Sequence, residues 1–147
     1  MFKSVHHLNY VVSNLDDMIL FLEENFGMTP DHVVRYDHLY YRDAIYDVGD
    51  THIQFTETWN PETACGRFLT KNGGPGLFHA AWAVDDLPNV ARRLAERGHN
   101  MGKNHGVTRS PRGYVACNVD IQRSHGILFQ LAEGKRQAED AVGDKKP

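Results

Sequence analysis

Two stretches of alternating character set the pattern of the chain. His7-Leu8-Asn9-Tyr10-Val11-Val12-Ser13-Asn14-Leu15 and His79-Ala80-Ala81-Trp82-Ala83-Val84-Asp85-Asp86-Leu87 share one layout: His first, Val five residues on, two polar residues, then Leu. Each predicts a strand running into a helix. After the first, Ser13 offers a cap, and Leu15, Met18, Ile19, Leu22 and Phe26 recur on one helical face before Gly27. After the second, Asp85 offers a cap and Pro88 fits the first turn. Leu87, Val90, Ala91 and Leu94 form that helix's face, and Gly98 ends it.

β-type sequence follows each helix. In the first half it covers His32–Asp37, Leu39–Val48 and Thr51–Thr56; in the second it covers a weak stretch at Asn100–Val107, then Gly113–Val119 and Gly126–Leu131. Each half therefore predicts β-α-β-β-β, over about 4–57 and 76–132. Between them, Pro61 and Glu62 open a short helix through Leu69, and Asn72-Gly73-Gly74-Pro75 is a turn cluster. Residues 58–75 thus read as a helical linker. Neither half alone can cover both faces of its sheet, so the expectation is one α+β domain over 1–133 in which the halves share a core. A charged, flexible tail is expected over 134–147.

Bulk properties narrow the function classes. At 147 residues the chain is long enough for a real core. Its net charge of −3 is mixed along the sequence with no basic stripe, which argues against nucleic acid as a partner. No apolar run approaches the roughly 20 residues that span a bilayer, and the N-terminal residues show no signal-peptide pattern. Cys65 and Cys117 lie far apart and fit no zinc or redox spacing. The expectation is a reduced, cytoplasmic protein with no membrane partner. Nine histidines raise a metal or acid–base question.

The last strand of each half sharpens that question. His52-Ile53-Gln54-Phe55 closes the first and Ile127-Leu128-Phe129-Gln130-Leu131 the second, so each places a glutamine in an apolar strand. Gln54 follows His7 by 47 residues, and Gln130 follows His79 by 51. A buried amide is costly unless its hydrogen bonds are satisfied. Two of them at equivalent places, each matched to a histidine, predict four polar side chains serving one purpose.

The segments HHLNYVVSNLDD, DVGDTHIQF, GRFLTKNGGPGLFHAAWAVDDL and HGILFQLAE resemble, in that order, the vicinal oxygen chelate superfamily of glyoxalases, bleomycin resistance proteins and dioxygenases. The similarity is closest to its methylmalonyl-CoA epimerase branch. The resemblance implies two β-α-β-β-β modules forming an open, U-shaped mixed-sheet barrel around a divalent metal. It further implies His7, Gln54, His79 and Gln130 as ligands, one from the first and one from the last strand of each module. Two imidazoles and two amide oxygens suit Co, Ni, Mn, Fe or Zn. The implied activity is that of an isomerase, epimerase or lyase that polarises a carbonyl substrate, an acyl-CoA or a 2-oxo or 2-hydroxy acid, for proton transfer. A homodimer is also implied.

The chain departs from that pattern at two places. The epimerases and glyoxalases carry glutamate where Gln130 stands, and a second glutamate in the middle of the first module, where this chain reads HVVRYDHLYYRDAIYD. Replacement proton carriers in that stretch are His38, Asp37 and Asp43. Gln130 also favours one alternative, a small-molecule binding protein without chemistry on the same scaffold. A further alternative, an iron-dependent dioxygenase, would need an unusual ligand set because Gln130 stands where its carboxylate belongs.

The remaining polar residues have simpler readings. Alternation turns His6 to the face opposite His7, as a surface residue. His52 shares a face with Gln54 and is read as pairing across the sheet. His99, His105 and His125 sit beside glycines in turns and are read as solvated. Tyr10 and Trp82 are packing groups, and Glu57 and Glu133 lie on the face away from the ligands. Lys103, Arg109 and Arg112 are either an anionic-substrate clamp or a solvated loop.

Overall fold

The computed structural model describes residues 1–135, so the expected tail lies outside the described residues from position 136 onward. In the first half, β1 (Ser4–Val11) leads to α1 (Leu15–Phe26), then β2 (His32–Tyr36), β3 (Tyr41–Val48) and β4 (Thr51–Thr58). A connecting helix, α2 (Ala64–Asn72), follows. The second half runs β5 (Gly76–Ala83), α3 (Leu87–Glu96), β6 (Thr108–Arg109), β7 (Val115–Asn118) and β8 (Phe129–Glu133).

The two halves repeat one topology. In the first, the strands lie in the order β2-β3-β4-β1, with β1 parallel to β4 and the other neighbours antiparallel. In the second, β6-β7-β8-β5 repeats that order, with β5 parallel to β8 and the rest antiparallel. A parallel pair of strands cannot be joined by a tight turn, and in each module the connection between its parallel strands carries the helix.

By compactness the described chain divides inside β1 and inside β5. Residues 7–78 form one unit, and residues 1–6 join the chain from His79 onward in the other. In the first unit, α1 covers one face of the strands through Val12, Leu15, Ala44 and Tyr46, with Met18, Ile19, Leu22 and Phe55 packed around them. In the second, α3 covers the equivalent face through Val84, Leu87, Ala91, Met101, Cys117 and Leu131. The opening residues anchor on that unit: Phe2 stacks on Trp82 at 5.0 Å, and Lys3 N donates to Ala83 O at 2.9 Å. Among the described residues, no helix is long and apolar enough to cross a membrane.

Several local expectations shift. Asn14, not Ser13, caps α1, its side chain accepting from Asp17 N. Asp86, not Asp85, caps α3, and the Glu133 carboxylate also accepts from Leu87 N at 2.7 Å. The connecting helix starts at Ala64 behind a Thr63 cap, because Pro61 and Glu62 belong to the turn that Asn60 organises. The stretch 100–107 is not a strand. Gly102, Asn104, His105 and Gly106 all have positive φ, so the backbone coils there and pairs only over Thr108–Arg109.

Candidate functional site

Strand alternation and register decide which side chains share a face. In the first unit His7 sits opposite His52 and Asn9 opposite Gln54, while on the other side of β4 Asp43 sits opposite Thr56. These six therefore form one polar patch on the side away from α1. All are buried; His7 and Gln54 are 1% exposed and Asp43 is fully enclosed.

Burial at that level demands partners. Thr56 Oγ1 donates to Asp43 Oδ1 at 2.6 Å. Asn9 Nδ2 donates both to Thr56 Oγ1 at 3.0 Å and to Gln54 Oε1 at 2.8 Å. Gln54 Nε2 lies 2.8 Å from His52 Nε2, and the His52 ring stacks on His7 with centroids 4.9 Å apart. His7 and His52 each offer a ring nitrogen within 4.8 Å of the other.

The second unit repeats the theme with fewer polar groups. Gln130 sits opposite Ala81, which places it on the face of His79, two residues earlier on β5. The Gln130 side chain is hydrogen-bonded to His79, and its Nε2 donates to Asn118 Oδ1 at 3.2 Å. Ala81, Tyr114, Ala116 and Ala132 supply the apolar floor. Burial pushes the His79 imidazole down to about 4, and the nearby Arg112 guanidinium pushes the same way, against the Gln130 bond. Arg112 itself is only 9% exposed. A cavity of ≈ 640 Å³ lies in this unit, lined by Asn100, Met101, Asn118, Asp120, Gln122 and Leu128 among others. Asn118 is shared by this cavity and by Gln130's hydrogen bond.

The proton-carrier candidates separate by position. Asp37 and His38 are exposed on a 3-10 turn, with Asp37 ion-paired to Arg35 at 2.6 Å. Asp43 alone stands on the face of His7 and Gln54. Glu57 and Glu133 lie where alternation put them: Glu57 pairs with Arg42 at 2.5 Å, and Glu133 holds the start of α3. Tyr10 stacks on Phe55, confirming a packing role.

Other readings are corrected. His6 is half-buried rather than a surface residue; its Nε2 donates to Gly134 O at 2.7 Å, and its ring meets Tyr114 edge-on. His99 is half-buried, with Nδ1 enclosed. His52 does pair across the sheet, opposite His7, and in addition lies against Gln54 on the site face. Arg112 is enclosed beside His79, whereas Lys103 and Arg109 are exposed. Nothing in residue type singles out Asn9 and Thr56 in the sequence. Counting two residues from His7 and two from Gln54 would have found them, since a strand's period returns each to the same face.

Residues 4–131 match the glyoxalase/bleomycin resistance protein/dioxygenase superfamily. The chain belongs to that superfamily. Its fold is similar to that of methylmalonyl-CoA epimerase from Mycobacterium tuberculosis, at 24% identity and a TM-score of 0.78, covering 95% of this chain and 92% of that one. It is similar too to a variant of Streptomyces coelicolor methylmalonyl-CoA epimerase in complex with 2-nitronate-propionyl-CoA, at 20% identity and a TM-score of 0.78, covering 94% and 100%. A methylmalonyl-CoA epimerase in complex with methylmalonyl-CoA and NH4+ matches at 20% identity and 0.77, covering 98% and 100%. No curated protein matches the chain. At these identities the likeness is one of fold.

A divalent metal is common in this superfamily, and the residues present fit one. His79 is neutral at physiological pH, so its lone pair can bind a cation without first losing a proton. In both units the histidine and glutamine occupy one face away from the helix, where amide oxygens and imidazole nitrogens are suitable donors for borderline divalent ions.

Proposed function

We propose that the chain is a metal-dependent epimerase or isomerase that moves a proton next to a carbonyl, with a lyase as the nearest variant of that chemistry. His7 and Gln54 of one module, and His79 and Gln130 of the other, are its proposed ligands. The observation that carries the reading is the repetition itself: two modules of one topology each hold a His and a Gln on the face turned from the helix. A bound divalent cation would supply Lewis acidity that stabilises negative charge on the substrate oxygen.

The chain's own residues would do the rest. Asp43 is the proposed proton acceptor, being the carboxylate on the His7 and Gln54 face. Arg112, enclosed beside His79, favours a substrate with an anionic group. The cavity bordered by Asn118 lies in the size range that holds the body of a small ligand. An acyl-CoA is the proposed substrate class, in keeping with the ligands of the similar epimerases.

The test is α-proton exchange in D2O, followed by mass spectrometry, over a panel of acyl-CoA thioesters that includes methylmalonyl-CoA. The protein is assayed with Co2+, Ni2+, Mn2+, Fe2+ or Zn2+. Exchange with one metal is expected, falling on the order of 100-fold or more in His79→Ala and in Asp43→Asn. A second reading, binding without chemistry, is favoured by Gln130, which supplies no basic carboxylate. It is supported if thioesters bind and no metal elicits exchange.

A further inference from the structure

The chain of hydrogen bonds from Asp43 to His52 has a direction, set at its carboxylate end. Thr56 Oγ1 donates its hydroxyl proton to Asp43 Oδ1 at 2.6 Å. Thr56 Oγ1 can then only accept from Asn9, which identifies the Asn9 atom facing it as the NH2 group. The other hydrogen of that NH2 goes to Gln54, which identifies the Gln54 atom as the carbonyl oxygen. The Gln54 NH2 is left to donate to His52 Nε2, and that bond requires His52 to be the neutral Nδ1–H tautomer. Each amide orientation follows from its neighbour's chemistry rather than from an observed hydrogen.

We propose that Asn9 is a positioning residue that locks the Gln54 carboxamide with its oxygen, and not its NH2, available to a divalent cation. The inference rests on the reading of Gln54 as a ligand. An amide oxygen has two lone pairs, so the hydrogen bond from Asn9 fixes its orientation without by itself exhausting it. A rotated amide would set an NH2 dipole against the cation. The position of Asn9 suits this role, since it is 4% exposed, lies two residues from His7 on the same face, and stands opposite Gln54 in the register. Its own Oδ1 is buried with no partner among the described residues. The Nδ2 contacts are therefore what hold it.

The experiment uses the whole chain, 15N-labelled and metal-free, with long-range 1H–15N spectra that report the His52 tautomer. Wild type should show Nδ1–H. Asn9→Asp sets a carboxylate against the Gln54 oxygen, so the amide should rotate and His52 should switch to Nε2–H. Co2+ affinity is read separately in Asn9→Leu, which removes the donor without adding a ligand; a loss of at least tenfold is expected. Thr56→Val, which removes the group that orients Asn9, should lower affinity in the same direction and serves if an Asn9 variant does not fold. An unchanged His52 tautomer in Asn9→Asp overturns the proposal. So does unchanged Co2+ affinity in Asn9→Leu and Thr56→Val when Gln54→Ala weakens binding. If Gln54→Ala leaves Co2+ affinity untouched, the ligand reading fails and the cation role of Asn9 falls with it, while the tautomer switch still reports on the amide lock.

Discussion

His79 links the proposed chemistry to stability. Its imidazole takes a proton near 6.5 when the chain is unfolded, but only near 4 when folded, chiefly because burial disfavours the charged ring. Between those values the unfolded state binds more protons. Stability contributed by the neutral ring is therefore fully present above about pH 6.5 and is lost as pH falls toward 4. The His6 pKa is lowered for the same first reason, so it pulls in the same direction. Urea unfolding of the metal-free protein should show stability dropping by up to about 3 kcal/mol across that window from His79 alone. In His79→Gln the slope should flatten; an equally steep profile would show that the ring does not titrate as its surroundings imply.

Elements are fixed by close contacts as much as by propensity, and α2 shows it. Gly66 sits in its first turn, where an added Cβ would lie 2.5 Å from Asn60 O and 2.6 Å from the Pro61 backbone. Neither is a side chain that can swing away. Gly66→Ala should therefore destabilise the fold by about 2 kcal/mol through forced backbone movement, despite alanine's better helix propensity. Chemical denaturation measures it, and a neutral or stabilising result would mean that the turn before α2 is slack. The sequence pattern predicted a helix here but began it at Pro61, since nothing in the pattern shows that Asn60 folds its turn over Gly66. The 100–107 stretch misled in the opposite way. Its valine and methionine read as a weak strand, whereas four positive-φ residues coil the backbone.

At the scale of the whole molecule, the proposed ligand set differs from a site with one carboxylate. The proposed ligands are all neutral and would leave a divalent cation's charge uncompensated, which favours borderline ions over hard ones. Gln130→Glu adds the missing negative charge where the Gln130 side chain meets His79 and Asn118. The expected outcome is tighter Mn2+ and Co2+ binding, read by calorimetry. It should also raise the thermal midpoint at saturating metal, because a ligand bound only by the native state stabilises it. Unchanged binding in this variant, alongside a clear loss in His79→Ala, would remove residue 130 from the ligand set.

The order of elements, the duplication and the pairing of His7 with Gln54 and His79 with Gln130 were legible in the sequence. They are carried by local periodicity, by caps and by residue type, all of which act over a few neighbours. What tertiary structure decided was register. Only the alignment of β1 with β4, and of β4 with β3, sets His52 opposite His7, Asn9 opposite Gln54 and Asp43 opposite Thr56. Packing likewise separated Arg112, enclosed beside His79, from Arg109 and Lys103 on the same loop, and moved His6 from the surface into contact with Tyr114. Such placements depend on residues tens of positions apart, and a one-residue slip between strands would send each of those side chains to the opposite face.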